Sequence, residues 1–394
     1  MAAVAAVVVA MVVASVVRES GDEQVRAEFP PPPACEPGAS DRNPDDEPVA
    51  PSRGERLIPK VDGHIPIGFN DSSHQRGWIT LDEALRLYET AGATLTRLPL
   101  DWGDVESSPG ELDFSAYDEI YCTAVAAGVR PVWHLTGIPA WAASGGQCAD
   151  PCVRPPEDEH LPQLERFAEI AAARYPRAAA LEAWNEPNLR GFWGGSPDPA
   201  AYASVLEAIY TGAKNGDPRM PVLGGALSNN PADGEIGLSL RSFLTAMLAE
   251  GTTEHMDGFS FHPYPIQPID AEGEQFTPAF EVARELLDLE APGLRLWVTE
   301  VGVPTEPTGF APPFPPDEQA AILEDVLAHL NADAGVDAAL FHSLMDVPSD
   351  QTGAPGFGLF TQPDDDSLIT VKPAVCALRA AVELGGQCPA VLQR

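Results

Sequence analysis

Positive charge is scarce in this chain. Its 394 residues carry 23 lysines and arginines against 59 aspartates and glutamates, a formal net charge of -36. Such a surface repels phosphate backbones and anionic lipid headgroups, so nucleic acid is not expected as a partner. The acidic residues are spread along most of the sequence, which fits a solvated surface that maintains solubility. A glycine-rich phosphate turn after an early strand is also missing: the pair Gly145-Gly146 belongs to a cysteine-containing loop. That argues against a doubly wound dinucleotide-binding sheet. No histidine stands at ligand spacing from any of the six cysteines, which argues against a zinc site. No metal and no organic cofactor is expected.

Long apolar runs are confined to the N-terminus. Residues 1–17 are almost wholly Ala, Val and Met and give way abruptly to polar sequence at Arg18. They are expected to form a signal peptide or an N-terminal membrane anchor, with any membrane attachment through this segment alone. The rest of the chain is then extracytoplasmic, secreted or anchored at the cell surface, where disulfides can form. Cys148 and Cys152 are close enough in sequence to bridge within one loop, Cys35 and Cys388 could staple the two terminal tails, and Cys122 and Cys376 fall in predicted helices as buried thiols. Residues 18–56 are rich in Pro, Asp, Glu, Arg and Ser, including Phe29-Pro-Pro-Pro-Pro33, and read as a disordered linker.

Residues 57–394 alternate between two periodicities. Apolar runs of strand length begin near Ile65, Thr94, Arg130, Ala180, Pro221, Met256, Arg295 and Asp337, and amphipathic helical stretches separate them. Eight such repeats in an α/β chain predict a single (β/α)8 TIM barrel. The segment from Asp346 to Leu368 interrupts the last repeat with Pro, Gly and Asp and is expected to lie over the C-terminal face as a lid. Within it, Gln362-Pro-Asp-Asp-Asp-Ser367 reads as a solvated loop in preference to a calcium site.

A barrel gathers the C-terminal ends of its strands around one mouth. Here those ends supply Asn70, Arg97, His134, Asn185, Glu186, His262, Tyr264, Glu300 and His342, with Trp141 and Trp193 in mouth loops as expected stacking platforms. Aromatic faces, planar polar groups and two carboxylates are the components of a sugar site. A carboxyl pair can protonate a leaving oxygen with one member and attack or stabilise the anomeric carbon with the other.

The run Trp184-Asn-Glu-Pro-Asn-Leu-Arg-Gly-Phe-Trp193, with Tyr202 following, resembles the retaining glycoside hydrolases of clan A, most closely family 39. The resemblance covers the barrel from about residue 60 to residue 386. It implies that Glu186 is the acid/base, that Asn185 binds the sugar 2-hydroxyl, and that Glu300 is the nucleophile, held and polarised by Arg97 and Tyr264 with His262 alongside. His134, Trp193 and His342 complete the expected substrate-binding set. The implied activity is hydrolysis of O-glycosidic, β-linked bonds in an oligo- or polysaccharide by double displacement. A family 5-like endoglucanase of the same clan and a catalytically inactive carbohydrate-binding barrel are the alternatives. Two departures from the family pattern matter: the eighth strand ends in Phe341 and His342 where many clan members have Trp, and Glu300 is followed by Val-Gly-Val-Pro304. Xylose specificity is therefore not carried over.

Overall fold

A computed structural model describes Pro33, Cys35 and residues 49–143, 152–265, 276–308, 312–348, 355–362 and 368–393. The chain divides into Met1–Ala34 and Cys35–Arg394, and the fold described below belongs to the second unit. The expected segment 1–17, the partner cysteine Cys148 and the run Pro363 to Ser367 lie outside the described residues. Among the described residues no helix is long and apolar enough to cross a membrane.

Eight strands close into a parallel barrel in sequence order: β1 (Ile67–Asn70), β2 (Leu95–Asp101), β3 (Arg130–Thr136), β4 (Ala180–Ala183), β5 (Val222–Ser228), β6 (Gly258–His262), β7 (Arg295–Val301) and β8 (Val336–Phe341). Each is followed by a helix: α1 (Leu81–Ala91), α2 (Ser115–Ala126), α3 (Leu161–Arg174), α4 (Pro199–Gly216), α5 (Leu240–Ala249), α6 (Phe276–Glu290), α7 (Pro316–Ala332) and α8 (Pro373–Ala381). This is the predicted (β/α)8 architecture. A short antiparallel pair, β9 (Leu368–Thr370) with β10 (Val391–Gln393), lies outside the barrel sheet.

The strands are largely apolar because a parallel barrel is covered on both faces. Leu95, Val132, Ala180, Leu223, Trp297 and Ala338 from six strands form one buried cluster, and Ile58 inserts into it. Ile58 is carried there by a preceding turn tied to β8: the Leu57 amide donates to Asp337 Oδ2 at 2.8 Å, and Arg56 Nη1 donates to the Val336 carbonyl at 3.0 Å. The N-terminal end of the barrel is thereby closed, so the opposite end is left for chemistry.

Local signals set the helix ends. Thr80 and Glu83 form a reciprocal capping box at the start of α1, and Gly92 ends that helix at φ 75°. Asp198 accepts from the Ala200 and Ala201 amides ahead of α4, whose first residue is Pro199. Helices α3 and α4 lie unusually close: a Cβ at Gly212 would stand 1.9 Å from the Glu165 carbonyl oxygen, and one at Gly216 2.1 Å from that of Glu169.

The cysteine pairing differs from expectation. Cys35 bonds to Cys122 on α2, and Cys376 on α8 bonds to Cys388. Both helical cysteines are half-buried on the outer ring of the barrel, where the terminal segments pass, so each tail is tied to a helix and not to the other tail. Cys152 is also disulfide-bonded.

Candidate active site

The backbone after β4 turns sharply. Trp184 and Glu186 adopt φ values of 74° and 42°, a left-handed region that L-residues enter only when their surroundings hold them there. The holding groups are identifiable. The Glu186 amide donates to the Ala226 carbonyl at 2.9 Å, next to an irregularity in β5 between Gly225 and Leu227. Asn188 donates to the carbonyls of Ser228 and Leu238 and accepts from the Ser228 amide, pinning the Asn-Glu-Pro-Asn turn to β5. Trp184 Nε1 donates to the Phe192 carbonyl at 2.9 Å. Asn188 is thus a structural member of the motif, and Glu186 is the residue the turn presents.

Glu300 faces it from β7. A carboxylate oxygen of each glutamate and a ring nitrogen of His262 all lie within 4.8 Å of one another. Both Glu300 oxygens are engaged: Oε1 accepts from Arg97 Nη1 at 2.6 Å, and Oε2 accepts from the Tyr264 hydroxyl at 2.6 Å. His262, fully buried at the end of β6, places Nδ1 3.0 Å from Glu186 Oε1 and 3.8 Å from Glu300 Oε2. The trio has the donor types of a cation site, but a cation bound there would compete with the guanidinium and the phenol for the Glu300 oxygens.

Arg97 organises the floor. It is 1% exposed, and it donates from Nε to Glu182 Oε2 at 2.5 Å, from Nη1 also to Asn70 Oδ1 at 2.9 Å, and from Nη2 to Asn185 Oδ1 at 2.8 Å. A guanidinium has a fixed planar fork of donors, so satisfying all three nitrogens locks its orientation. Burial alone would lower its pKa, but Glu182 and Glu300 outweigh burial and raise it. Burial likewise works to raise the Glu300 pKa; His262, Arg97 and His342, joined by the Tyr264 hydrogen bond, bring it down to about 2. Glu300 is therefore an anion at any ordinary pH. Tyr264, pushed well above the usual phenol value by burial and by Glu300, remains a hydrogen-bond donor.

Two more expected histidines, His134 and His342, line a half-open cavity of about 330 Å³ together with Arg97, Asn185 and Glu300. Burial holds the His134 pKa well below its usual value, with Arg97 adding to the effect. Burial also lowers that of His342, whose Nδ1 lies 3.3 Å from Asn70 Nδ2. His342 packs edge-on against Tyr264 and against Phe357, their ring centroids 6.2 and 5.3 Å away. Phe357 belongs to the expected lid segment, and its described residues are joined to the end of β8 by bonds from the Leu359 amide to the Ser343 carbonyl and from the Ser343 amide to the Phe357 carbonyl.

The structure sets the two mouth tryptophans apart from the carboxylates. Trp193 is 4% exposed, packed on Trp184 and Tyr202, and its free edge lines a separate cavity with Arg154 and Ser196. Trp141 sits edge-on to Trp102 and donates from Nε1 to the Glu106 carbonyl at 2.9 Å. Both rings pack on neighbouring aromatics, with Trp141 half-buried and Trp193 on the wall of the second cavity. Sequence reasoning missed Glu182, although a lone acid in the apolar run Ala180-Leu-Glu-Ala183, opposite a lone base in Leu95-Thr-Arg-Leu98, signals an inward ion pair. It also missed Asp71, Arg76 and Trp78 on the cavity wall, where a loop has no period to reveal them.

The structure thus sets a carboxyl in the turn after β4 against one on β7, at the C-terminal end of a closed eight-stranded parallel barrel. Among solved structures, the chain is similar to a family 39 glycoside hydrolase from the gut symbiont Bacteroides cellulosilyticus, with a TM-score of 0.60 and 22% identity, covering 83% of this chain and 66% of that one. It is similar to a family 39 β-xylosidase from Caulobacter crescentus, with a TM-score of 0.58 and 21% identity over 83% and 72% of the two chains. A β-glucosidase from Exiguobacterium marinum gives a TM-score of 0.57 and 14% identity, over 84% of this chain and 100% of that one. At these identities the likeness establishes the fold. No protein-family model and no curated protein matches the chain.

Proposed function

We propose that this chain is a retaining glycosidase that hydrolyses β-linked glycosides by double displacement. The observation that carries the reading is the approach of a Glu186 and a Glu300 carboxylate oxygen to within 4.8 Å of each other at the barrel mouth. Retaining enzymes hold their carboxyls about 5 to 5.5 Å apart, whereas inverting enzymes leave room for a water at about 6.5 to 9.5 Å. In the first step Glu300 attacks the anomeric carbon while Glu186 delivers a proton to the departing glycosidic oxygen, giving a glycosyl ester on Glu300 and a free alcohol. In the second step Glu186 takes a proton from water, the resulting hydroxide equivalent attacks the same carbon, and Glu300 leaves as a carboxylate. Arg97 and Tyr264 keep Glu300 anionic and aimed, and His262 holds the Glu186 carboxyl through Nδ1. Asn185, whose Oδ1 accepts from Arg97 Nη2, is the group assigned here to the sugar 2-hydroxyl.

The similar solved structures include a β-xylosidase, a β-glucosidase and an exo-β-1,4-mannosidase, which supports a β-linked substrate and leaves the sugar open, as does His342 in place of a strand-eight tryptophan. An oligo- or polysaccharide is the substrate class, and the disulfides Cys35–Cys122 and Cys376–Cys388 support an extracytoplasmic location. Two experiments test the reading. Products from a panel of β-linked substrates, followed early by NMR, should retain configuration. Glu300→Ala should lose at least about 10⁴-fold in kcat, and azide should restore turnover as a glycosyl azide of inverted configuration. Full activity in Glu300→Ala sinks the assignment; an inert wild type returns the chain to the alternative of a non-catalytic carbohydrate-binding barrel.

A further inference from the structure

The sequence holds three lysines, Lys60, Lys214 and Lys372, and the last two each spend the ammonium on three protein acceptors. Lys214 donates to the Pro218 and Met220 carbonyls and to Asp257, just ahead of β5 and β6, and so ties segments at the closed end of the barrel. Lys372, immediately before α8, does the same at the catalytic end. It is 6% exposed, and Nζ donates to Thr305 Oγ1 at 2.9 Å, to Asp346 Oδ1 at 2.8 Å and to the Gly356 carbonyl at 3.4 Å. Thr305 lies in the segment leaving β7, and Asp346 and Gly356 in the segment leaving β8. The two segments are also joined directly, the Thr305 amide and hydroxyl both donating to the Gly356 carbonyl, at 2.8 and 3.0 Å. An ammonium with its three protons satisfied is a fixed post, so Lys372 sets the exit of the strand that carries Glu300 against the exit of its neighbour.

What this junction holds is the ring of Phe357, the residue after Gly356. Phe357 is 1% exposed, and its ring centroid lies 5.9 Å from that of Tyr264 and 5.3 Å from that of His342. It also covers Gly302, just beyond β7, where a Cβ would stand 2.9 Å from Phe357 Cδ1. Tyr264 in turn donates to Glu300 Oε2. We propose that Lys372 is a positioning residue for the nucleophile: it holds Phe357 against Tyr264 and so keeps the phenol hydroxyl on Glu300. This rests on the glycosidase reading and extends it to what aims the attacking carboxylate. Lys372 is not one of the described residues that line the catalytic cavity, so its influence travels through packing. A dense interior passes small displacements from ring to ring, and the edge-on contact of Phe357 with Tyr264 has a preferred geometry that a slackened loop would lose.

Lys372→Met alone would strand the largely buried Asp346 carboxylate, so the test removes both charges together, in Lys372→Met/Asp346→Asn, and disturbs the ring separately in Phe357→Leu. Each change is made alone and with Tyr264→Phe. All are assayed on the aryl β-glycoside that the wild type turns over best, at a temperature where circular dichroism shows them folded. With Tyr264 present, each should lose about 10-fold in kcat while KM stays within about 2-fold of the wild type, the mark of a misplaced reacting group. In the Tyr264→Phe background the same changes should cost less than about 2-fold, because the bond they act through is already gone. A purely structural tie would lower the thermal midpoint and leave kcat of the folded protein alone. Full kcat in the folded variants, or losses that multiply with that of Tyr264→Phe, overturns the positioning role and leaves the glycosidase standing. A wild type inert towards every β-glycoside tried overturns both.

Discussion

At the scale of single residues, the site is a chain of obligations ending on one carboxylate. Glu182 holds Arg97, and Arg97 and Tyr264 each take one oxygen of Glu300. Glu182 is fully buried, with Oε1 lacking a partner among the described residues, so its charge is tolerated only because the guanidinium is beside it. Removing Arg97 would strand two buried anions, which makes it a poor probe of catalysis. Tyr264 is the better one. Tyr264→Phe keeps the ring against His342 and Phe357 and deletes only the hydrogen bond to Glu300. That bond helps to depress the Glu300 pKa, so the variant's Glu300 should protonate at higher pH, and the acid limb of kcat/KM should move upward from that of the wild type. A fall in kcat of about 10- to 100-fold should accompany it, the worth of one charge-assisted bond to the nucleophile. An unmoved acid limb would remove Tyr264 from the control of Glu300.

At the scale of elements, the repeat was legible and the packing between repeats was not. The starts of the strands could be read because each is a buried apolar run flanked by polar turns, and Arg97, Glu186, His262 and Glu300 could be placed because barrel geometry converts position along a strand into position at the mouth. The cysteine pairs could not be read, since connectivity depends on which helix a tail happens to cross. The fates of Trp141 and Trp193 were hidden for a related reason: nothing in a loop sequence says whether an indole turns toward the cleft or into a neighbouring ring. The α3 to α4 contact is a further case. Gly212 and Gly216, four apart on one face of α4, let the helix backbones approach closely, and the same residues would otherwise count as weak helix formers. Gly212→Ala therefore opposes two effects. Helix propensity gains about 1 kcal/mol, but the new methyl meets a backbone carbonyl that cannot rotate away, and overpacking costs about 1–3 kcal/mol or more. The clash should win, with a lower thermal midpoint and no change in KM; a raised midpoint would show that the two helices separate freely.

For the whole molecule, net charge and buried histidines pull stability in opposite directions as pH falls. Approaching the isoelectric point of about 4.3, the acidic surface loses charge and self-repulsion relaxes, which favours the folded state. The histidines oppose this. Burial lowers the His74 pKa from 6.5 to about 4, and His74 Nε2 has no partner among the described residues. Its folded-state pKa lies below its unfolded-state value, so the unfolded chain binds the proton first: the stability contributed by the neutral ring is complete above pH 6.5 and is lost as pH falls toward about 4. Surface charge acts on wild type and variant alike, so a substitution at His74 isolates the second effect. His74→Gln cannot take up a proton, and its thermal midpoint relative to the wild type should therefore rise steadily as the pH is lowered through that window, by an amount corresponding to no more than about 3 kcal/mol. Whatever packing cost the substitution carries is independent of pH and sets only the starting offset. A difference between the two proteins that stays constant from neutral pH to pH 4, followed by circular dichroism in one buffer series, would mean that His74 is hydrated in solution and titrates as it does in the unfolded chain.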